Sequence, residues 1–334
     1  MSQPTYAATG RRISQVVFVG LLLDILAFTI ILPLLPRSLE AYKAREGADG
    51  STLLGMILQH VAVQRERLQA ASSSRFLQQG ARADLVLLGG MLGSLYSLLQ
   101  CMVAPFIGRA ADTFGRRRTL IACMAGNIVW TVMWVFAGGF ELFLAARIVA
   151  GLSEGNVQLS NTIIADVTEP STRSHGMALV GIAFAVGFTL GPSIGAYFAR
   201  VPLEPADGQQ RVFAYAPFAT AAAFSLSLLV AESVYLYFKL PETLPARPQQ
   251  PTRNQTKPAT AHPVLRRLNL LHFAYLFFFS GMEYTLTFLT HDRFGFTNAQ
   301  QGKLLGFIGI TSTILQGGWV RRIKGQSAHR DKGL

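Results

Sequence analysis

Residues 108–120 read GRAADTFGRRRTL and stand between two long apolar runs, 85–107 and 119–138. In a chain where such runs cross a membrane, four arginines and one aspartate packed together belong at a membrane boundary rather than in a core. The glycines Gly108 and Gly115 suit a tight turn, and an aspartate with arginines beside helix ends suits a charge latch. The stretch therefore reads as a short loop joining two spans. Composition agrees: half of the 334 residues are apolar and only 14% are charged, against about a quarter charged in a typical globular chain. The mean hydropathy is +0.34.

Outward from this loop, runs of roughly 20 apolar residues predict eight spans: 13–35, 85–107, 119–138, 141–165, 176–198, 212–238, 270–289 and 304–320. The first holds Asp24 and Pro33 and lacks a small-residue cleavage site, so it reads as a retained helix rather than a signal peptide. With the N-terminus inside, the inner segments carry eighteen lysines and arginines and the short outer loops four. This is the positive-inside asymmetry. The long segment 36–84 carries seven more and falls outside, a contrary count that long loops tolerate.

The domain organisation that follows is an inner tail at 1–12, a six-helix block at 13–240 with the outer loop 36–84, an inner linker at 241–269, two further spans at 270–320, and a tail at 321–334. The linker is rich in Pro, Gln and Thr and reads as disordered. Within the outer loop, Leu54, Ile57, Leu58, Val61 and Leu68 fall near one helical face, so a short interfacial helix and a plain loop excursion are both open. Cys101 and Cys123 lie in apolar runs and read as small buried hydrophobes. A net charge of +12 is spread over loops without aromatic interleaving, which argues against nucleic acid as a partner. The sequence holds no nucleotide-binding loop, metal cluster or nucleophile motif, so neither an enzyme nor a bound cofactor or metal is expected.

Gly108, Asp112, Gly115, Arg116 and Arg117 stand at the spacing G-x-x-x-D-x-x-G-R-R, and with their place between the second and third spans this resembles the signature loop of the major facilitator superfamily. Ala110 and Thr113 depart from the usual pattern, where a bulkier aliphatic and a basic residue are common. Arg147 and Gly151 resemble the superfamily's fourth-helix motif, and Gly187, Gly191, Pro192 and Gly195 resemble the fifth-helix motif of its antiporters. The first span, with Asp24, Pro33 and Pro36, is similar to that of tetracycline-type efflux proteins. The resemblance implies an all-α bundle, transport by alternating access, and a drug–proton antiporter branch. It also implies twelve spans in two halves. This chain stops after the eighth, so the latch aspartate Asp112 is expected to have lost a partner in the opposite half.

Ionisable residues inside a membrane span default to functional roles. The spacing of Arg147 and Glu154, two helical turns, places them on one face of a single helix lining one cavity. Asp24 and Glu283 occupy corresponding first and seventh spans of the two halves. Glu232 and His272 sit near span ends and read as interfacial, and Gln100, Asn127 and Gln158 as interhelical hydrogen-bonders. These four ionisable residues form the expected pathway for a small amphipathic organic substrate and for a proton as coupling ion. Arg147, as the fixed charge, favours organic anions when the carboxylates are protonated, and ionised carboxylates favour cations. The alternative is a non-transporting truncated form that associates with or regulates other membrane proteins. Its expected surroundings are the lipid bilayer, in the plasma membrane ahead of an intracellular one.

Overall fold

The computed structural model describes residues 3–71, 80–169, 173–199, 216–244 and 261–315. Its α-helices are α1 (Gln3–Ile31), α2 (Leu35–Glu46), α3 (Leu53–Ala71), α4 (Ala81–Phe114), α5 (Arg116–Val135), α6 (Phe140–Ser153), α7 (Asn156–Val167), α8 (Arg173–Phe198), α9 (Ala219–Lys239), α10 (Ala261–Phe294) and α11 (Asn298–Ile314). No strand occurs among the described residues. Five helical segments there are long and apolar enough to cross a membrane, the first running from Thr9 to Glu46.

Several boundaries differ from the hydropathy reading, each for a local reason. The first helix starts at Gln3, inside the expected tail 1–12, with Pro4 in its first turn, where a missing N–H costs nothing. It also does not stop at Pro33. A single 3-10 turn at Leu32–Leu34 absorbs that proline, and α2 continues the rod through residues expected in the outer loop. There the Tyr42 hydroxyl donates to the Ala137 carbonyl at 2.5 Å, and the Glu46 carboxylate accepts from the Phe140 N–H, capping α6. Residues 53–71 are helical as α3 rather than a plain loop, tied to α4 by Arg65 Nε to Asp84 Oδ1 at 2.8 Å. The linker shortens, since residues 261–269 are already in α10; residues 245–260 and the tail beyond 315 lie outside the described residues.

The fourth span is two helices rather than one. Glu154 and Gly155 leave the helical conformation between α6 and α7. The gap at Gly155 is narrow: a side chain there would meet Ile107 Cδ1 at 3.0 Å and Cys123 Sγ at 3.1 Å.

Packing centres on α1, which lies against α8, α9 and α7, while α11 lies along α8. Two apolar clusters stack along the bundle axis. One gathers Leu34, Tyr42, Trp134, Phe140 and Phe143. The other gathers Leu21, Leu120, Met124, Ile163 and Leu236, towards the Gly115 end. Between them, the chain places polar residues on each helix it crosses: Thr29 on α1, Asn127 on α5, Glu154 and Asn156 at the α6–α7 break, and Ser225 and Glu232 on α9. Apolar layers above and below raise the cost of any unpaired charge in this belt.

Candidate functional site

The GRAADTFGRRRTL stretch is less a loop than a hinge of one residue. Gly108 to Phe114 complete α4, Arg116 opens α5, and Gly115 alone lies between them with φ +106°. A non-glycine residue would be strained at that φ, and its Cβ would run into the Glu242 carboxylate. Glu242, just past α9, accepts from the backbone N–H of Arg116 at 2.8 Å and of Arg117 at 3.4 Å, capping α5. Partial burial works to raise its pKa. The N–H groups of Leu244, Arg117, Thr243 and Arg116 more than offset this and hold it below the usual carboxylate range.

Arg116 joins Asp112 at 2.5 Å, one turn back, and Asp166 at the end of α7 at 3.0 Å. Arg117 donates to the Tyr237 carbonyl at 2.6 Å and lies over the Tyr237 ring. Asp112 therefore has a partner within its own half, Arg116. The latch ties α4, α5, α7 and the end of α9 into one unit.

Deeper in the bundle, the break at Glu154–Gly155 arranges the carboxylates. Asn156, the first residue of α7, donates from Nδ2 to Asp24 Oδ1 at 2.9 Å. Asp24 is buried. The Glu154 carboxyl meets the Tyr96 hydroxyl and the Asn127 amide and faces Asp24 electrostatically. The same belt holds Glu232, which is 1% exposed and faces both Asp24 and Glu154. The interfacial reading of Glu232 is thus replaced by a buried one. The pattern that reveals it is present in the sequence: Ser225, Leu229, Glu232 and Leu236 recur at the helical period, and all four are buried.

Arg147 lies within α6 and Glu154 at the α6–α7 break, and they border adjoining cavities. Arg147 borders a cavity of about 680 Å³, and Glu154 borders a second of about 270 Å³; Ser97 and Gln100 of α4 line both. The larger cavity lies between the six-helix block and α10–α11, among Phe28, Tyr96, Trp130, Phe188, Phe288 and Leu305. Arg147 is the charged side chain among its described walls. Its guanidinium lies 5.6 Å from the Trp134 ring centre and 5.3 Å from that of Phe143, aromatic faces that hold the cation in place. Trp130, in the wall, has a buried indole N–H without a hydrogen-bond partner. Glu283 belongs to α10, but its side chain lies outside the described residues, so its relation to Asp24 is not part of this geometry.

The α8 glycines form a joint with α1. A Cβ on Gly187 would strike Ile25, on Gly191 Thr29, and on Gly195 the Ile30 carbonyl. The close approach lets Thr29 Oγ1 donate to the Gly187 carbonyl at 3.0 Å. Another face of α8 takes the glycines of α11: Gly302 comes against the Pro192 carbonyl, and Gly306 and Gly309 against Thr189. Small residues in both directions allow close backbone packing where lipid offers no hydrophobic drive.

A family model described as Major Facilitator Superfamily matches residues 17–328. The human protein called major facilitator superfamily domain-containing protein 10 is 38% identical over 339 residues, covering 94% of this chain and 68% of its own length. The class E tetracycline resistance protein of Escherichia coli is 25% identical over 230 residues, covering 68% of this chain and 54% of its own. The crystal structure of the human organic anion transporter MFSD10 (TETRAN) superimposes with a TM-score of 0.73 at 36% identity, covering 94% of this chain and 73% of that one.

Proposed function

The chain belongs to the Major Facilitator Superfamily of membrane transporters, and on that premise we propose that it moves small amphipathic organic anions by alternating access in exchange for protons. The observation that carries this is the large cavity: aromatic and aliphatic walls with Arg147 as the charged side chain among the described residues that line it. Such a site gives an apolar body its contact area and a carboxylate or sulfonate a cationic donor. The human relative described as an organic anion transporter supports the same substrate class. Asp24, buried and held by Asn156, is the residue assigned to the exchanged proton, because an ionisable side chain inside a membrane span is kept there for function.

The test is uptake into proteoliposomes of an aromatic carboxylate and of an amine of the same size. Loss of one charged hydrogen-bond partner costs about 1.5–3 kcal/mol, or about ten- to a hundredfold in affinity. Arg147→Ala is expected to weaken anion uptake by that factor and to spare the amine. Equal loss of both, tracking a lower melting temperature, makes Arg147 a packing residue against Trp134 and Phe143 and removes the anion reading.

The orientation proposed puts the Gly115 end and residues 241–260 in the cytoplasm, since the positive charges gather there. A cysteine at Gln255 is then shielded from an impermeant thiol reagent in intact cells, and one at Ser73 is labelled. The opposite pattern inverts the protein in the membrane.

A further inference from the structure

Glu232 has no role in the transport cycle proposed above, yet its position is demanding. Its level in the bundle is fixed by two contacts between the antiparallel α1 and α9: Ser225 Oγ donates to the Ala27 carbonyl at 2.8 Å, and Leu236 packs on Gly20. Between those contacts, Glu232 comes level with the Asp24 turn of α1. Its Oε2 is buried and has no hydrogen-bond partner among the described residues. The nearby belt adds two more buried acceptors without partners, Asn127 Oδ1 and Asn156 Oδ1. Acceptors without donors, around carboxyl groups, call for protons or a cation. Among the described residues, no three His, Cys, Asp or Glu side chains converge closely enough to hold a metal ion. A proton needs no such convergence. A protonated carboxyl group also supplies its own donor, whereas an ionised one without donors is among the costliest groups to bury.

We infer that Glu232 is a proton-binding site that exchanges its proton with Asp24 across the α1–α9 interface. This rests on the proton-coupled reading and extends it. In the exchange, the O–H bond on Glu232 breaks as one forms on Asp24, and the negative charge passes to Glu232. The summed charge of Asp24, Glu154 and Glu232 changes only when a proton enters or leaves, and Glu154, on the wall of the smaller cavity, is placed for that step. The titratable groups facing Glu232 are Asp24 from α1 and Glu154 from the α6–α7 break. From α5, Arg117 reaches α9 at Tyr237, nearer the helix end.

The experiment is infrared difference spectroscopy of the purified full chain in lipid nanodiscs, titrated with pH and read at the protonated-carboxyl stretch. Glu232→Gln is expected to remove one titrating component, and Glu232→Asp to restore it at a displaced frequency. Asp24→Asn is expected to shift the midpoint of the Glu232 component. A Glu232→Gln spectrum that superimposes on the wild type overturns the inference, as does a Glu232 component that stays constant with pH, the behaviour of a static structural acid. The aspartate variant keeps the carboxyl group, so it separates lost titration from lost folding. Gradient-driven uptake by the Asp24→Asn protein reports separately on proton coupling, because the spectra count bound protons whether or not transport uses them.

Discussion

Asp24→Asn is expected to reduce pH-gradient-driven uptake to the level seen without a gradient, while exchange of labelled for unlabelled substrate continues. The substitution keeps the size of the side chain and leaves an oxygen to accept from Asn156, so the α1–α7 contact at 2.9 Å survives. What it removes is titration. The dependence of exchange rate on pH should flatten at the same time, since the group that loads and releases the proton is gone. Undiminished gradient-driven uptake would make Asp24 a structural partner of Asn156 and end its assignment to coupling.

The second large effect concerns α8. Gly195→Ala is expected to cost about 1–3 kcal/mol, the range for forcing extra atoms into a packed interface, because the new methyl meets the Ile30 carbonyl, a backbone atom that cannot swing aside. Gly191→Leu adds a larger clash with Thr29 and breaks its hydrogen bond to Gly187. Both should lower the melting temperature and the yield along with transport. Gly306→Ala provides the comparison, since its nearest neighbour, the Thr189 carbonyl, would lie 3.3 Å away. If Gly195→Ala melts like Gly306→Ala, the α1–α8 joint is looser than described. Loss of Pro192 acts differently: Pro192→Ala restores an N–H within α8 and should straighten the helix, which is read as altered transport at normal yield.

Much of this arrangement is legible in the residue order because membrane spans obey a simple length rule and because Gly115 and its neighbours have few substitutes. The order of the spans, the short connection at Gly115 and the close-packed α8 all follow from local patterns. The misreadings arise where local pattern and tertiary packing compete. Hydropathy treats 141–165 as one run, since Glu154 and Gly155 are only two residues in an apolar window; the narrow space at Gly155 is bounded by Ile107 and Cys123, which lie on other helices and which no local window contains. Pro33 suggests an end to the first helix, yet one 3-10 turn carries the chain past it. Glu232 lies near a span end, yet its helical face, shared with Ser225, Leu229 and Leu236, is what buries it. Asp166 and Glu242, partners of the Arg116–Arg117 pair, lie 50 and 126 residues away from Arg116, a separation that no reading of spacing bridges.

The continuity of α1 with α2 has a mechanical result. Sixteen residues separate Asp24 from Glu40, about 24 Å of helix at 1.5 Å per residue. At the far end, Glu40 Oε1 meets His291 Nε2 of α10 at 3.0 Å. Over a rod of that length, a tilt of about 5° at Asp24 corresponds to about 2 Å at Glu40. That displacement carries a 3.0 Å contact beyond hydrogen-bonding range. On the proton-coupled reading proposed above, a tilt of that size in response to a proton at Asp24 is expected to make or break this tie to α10, read as a change in the Glu40–His291 contact.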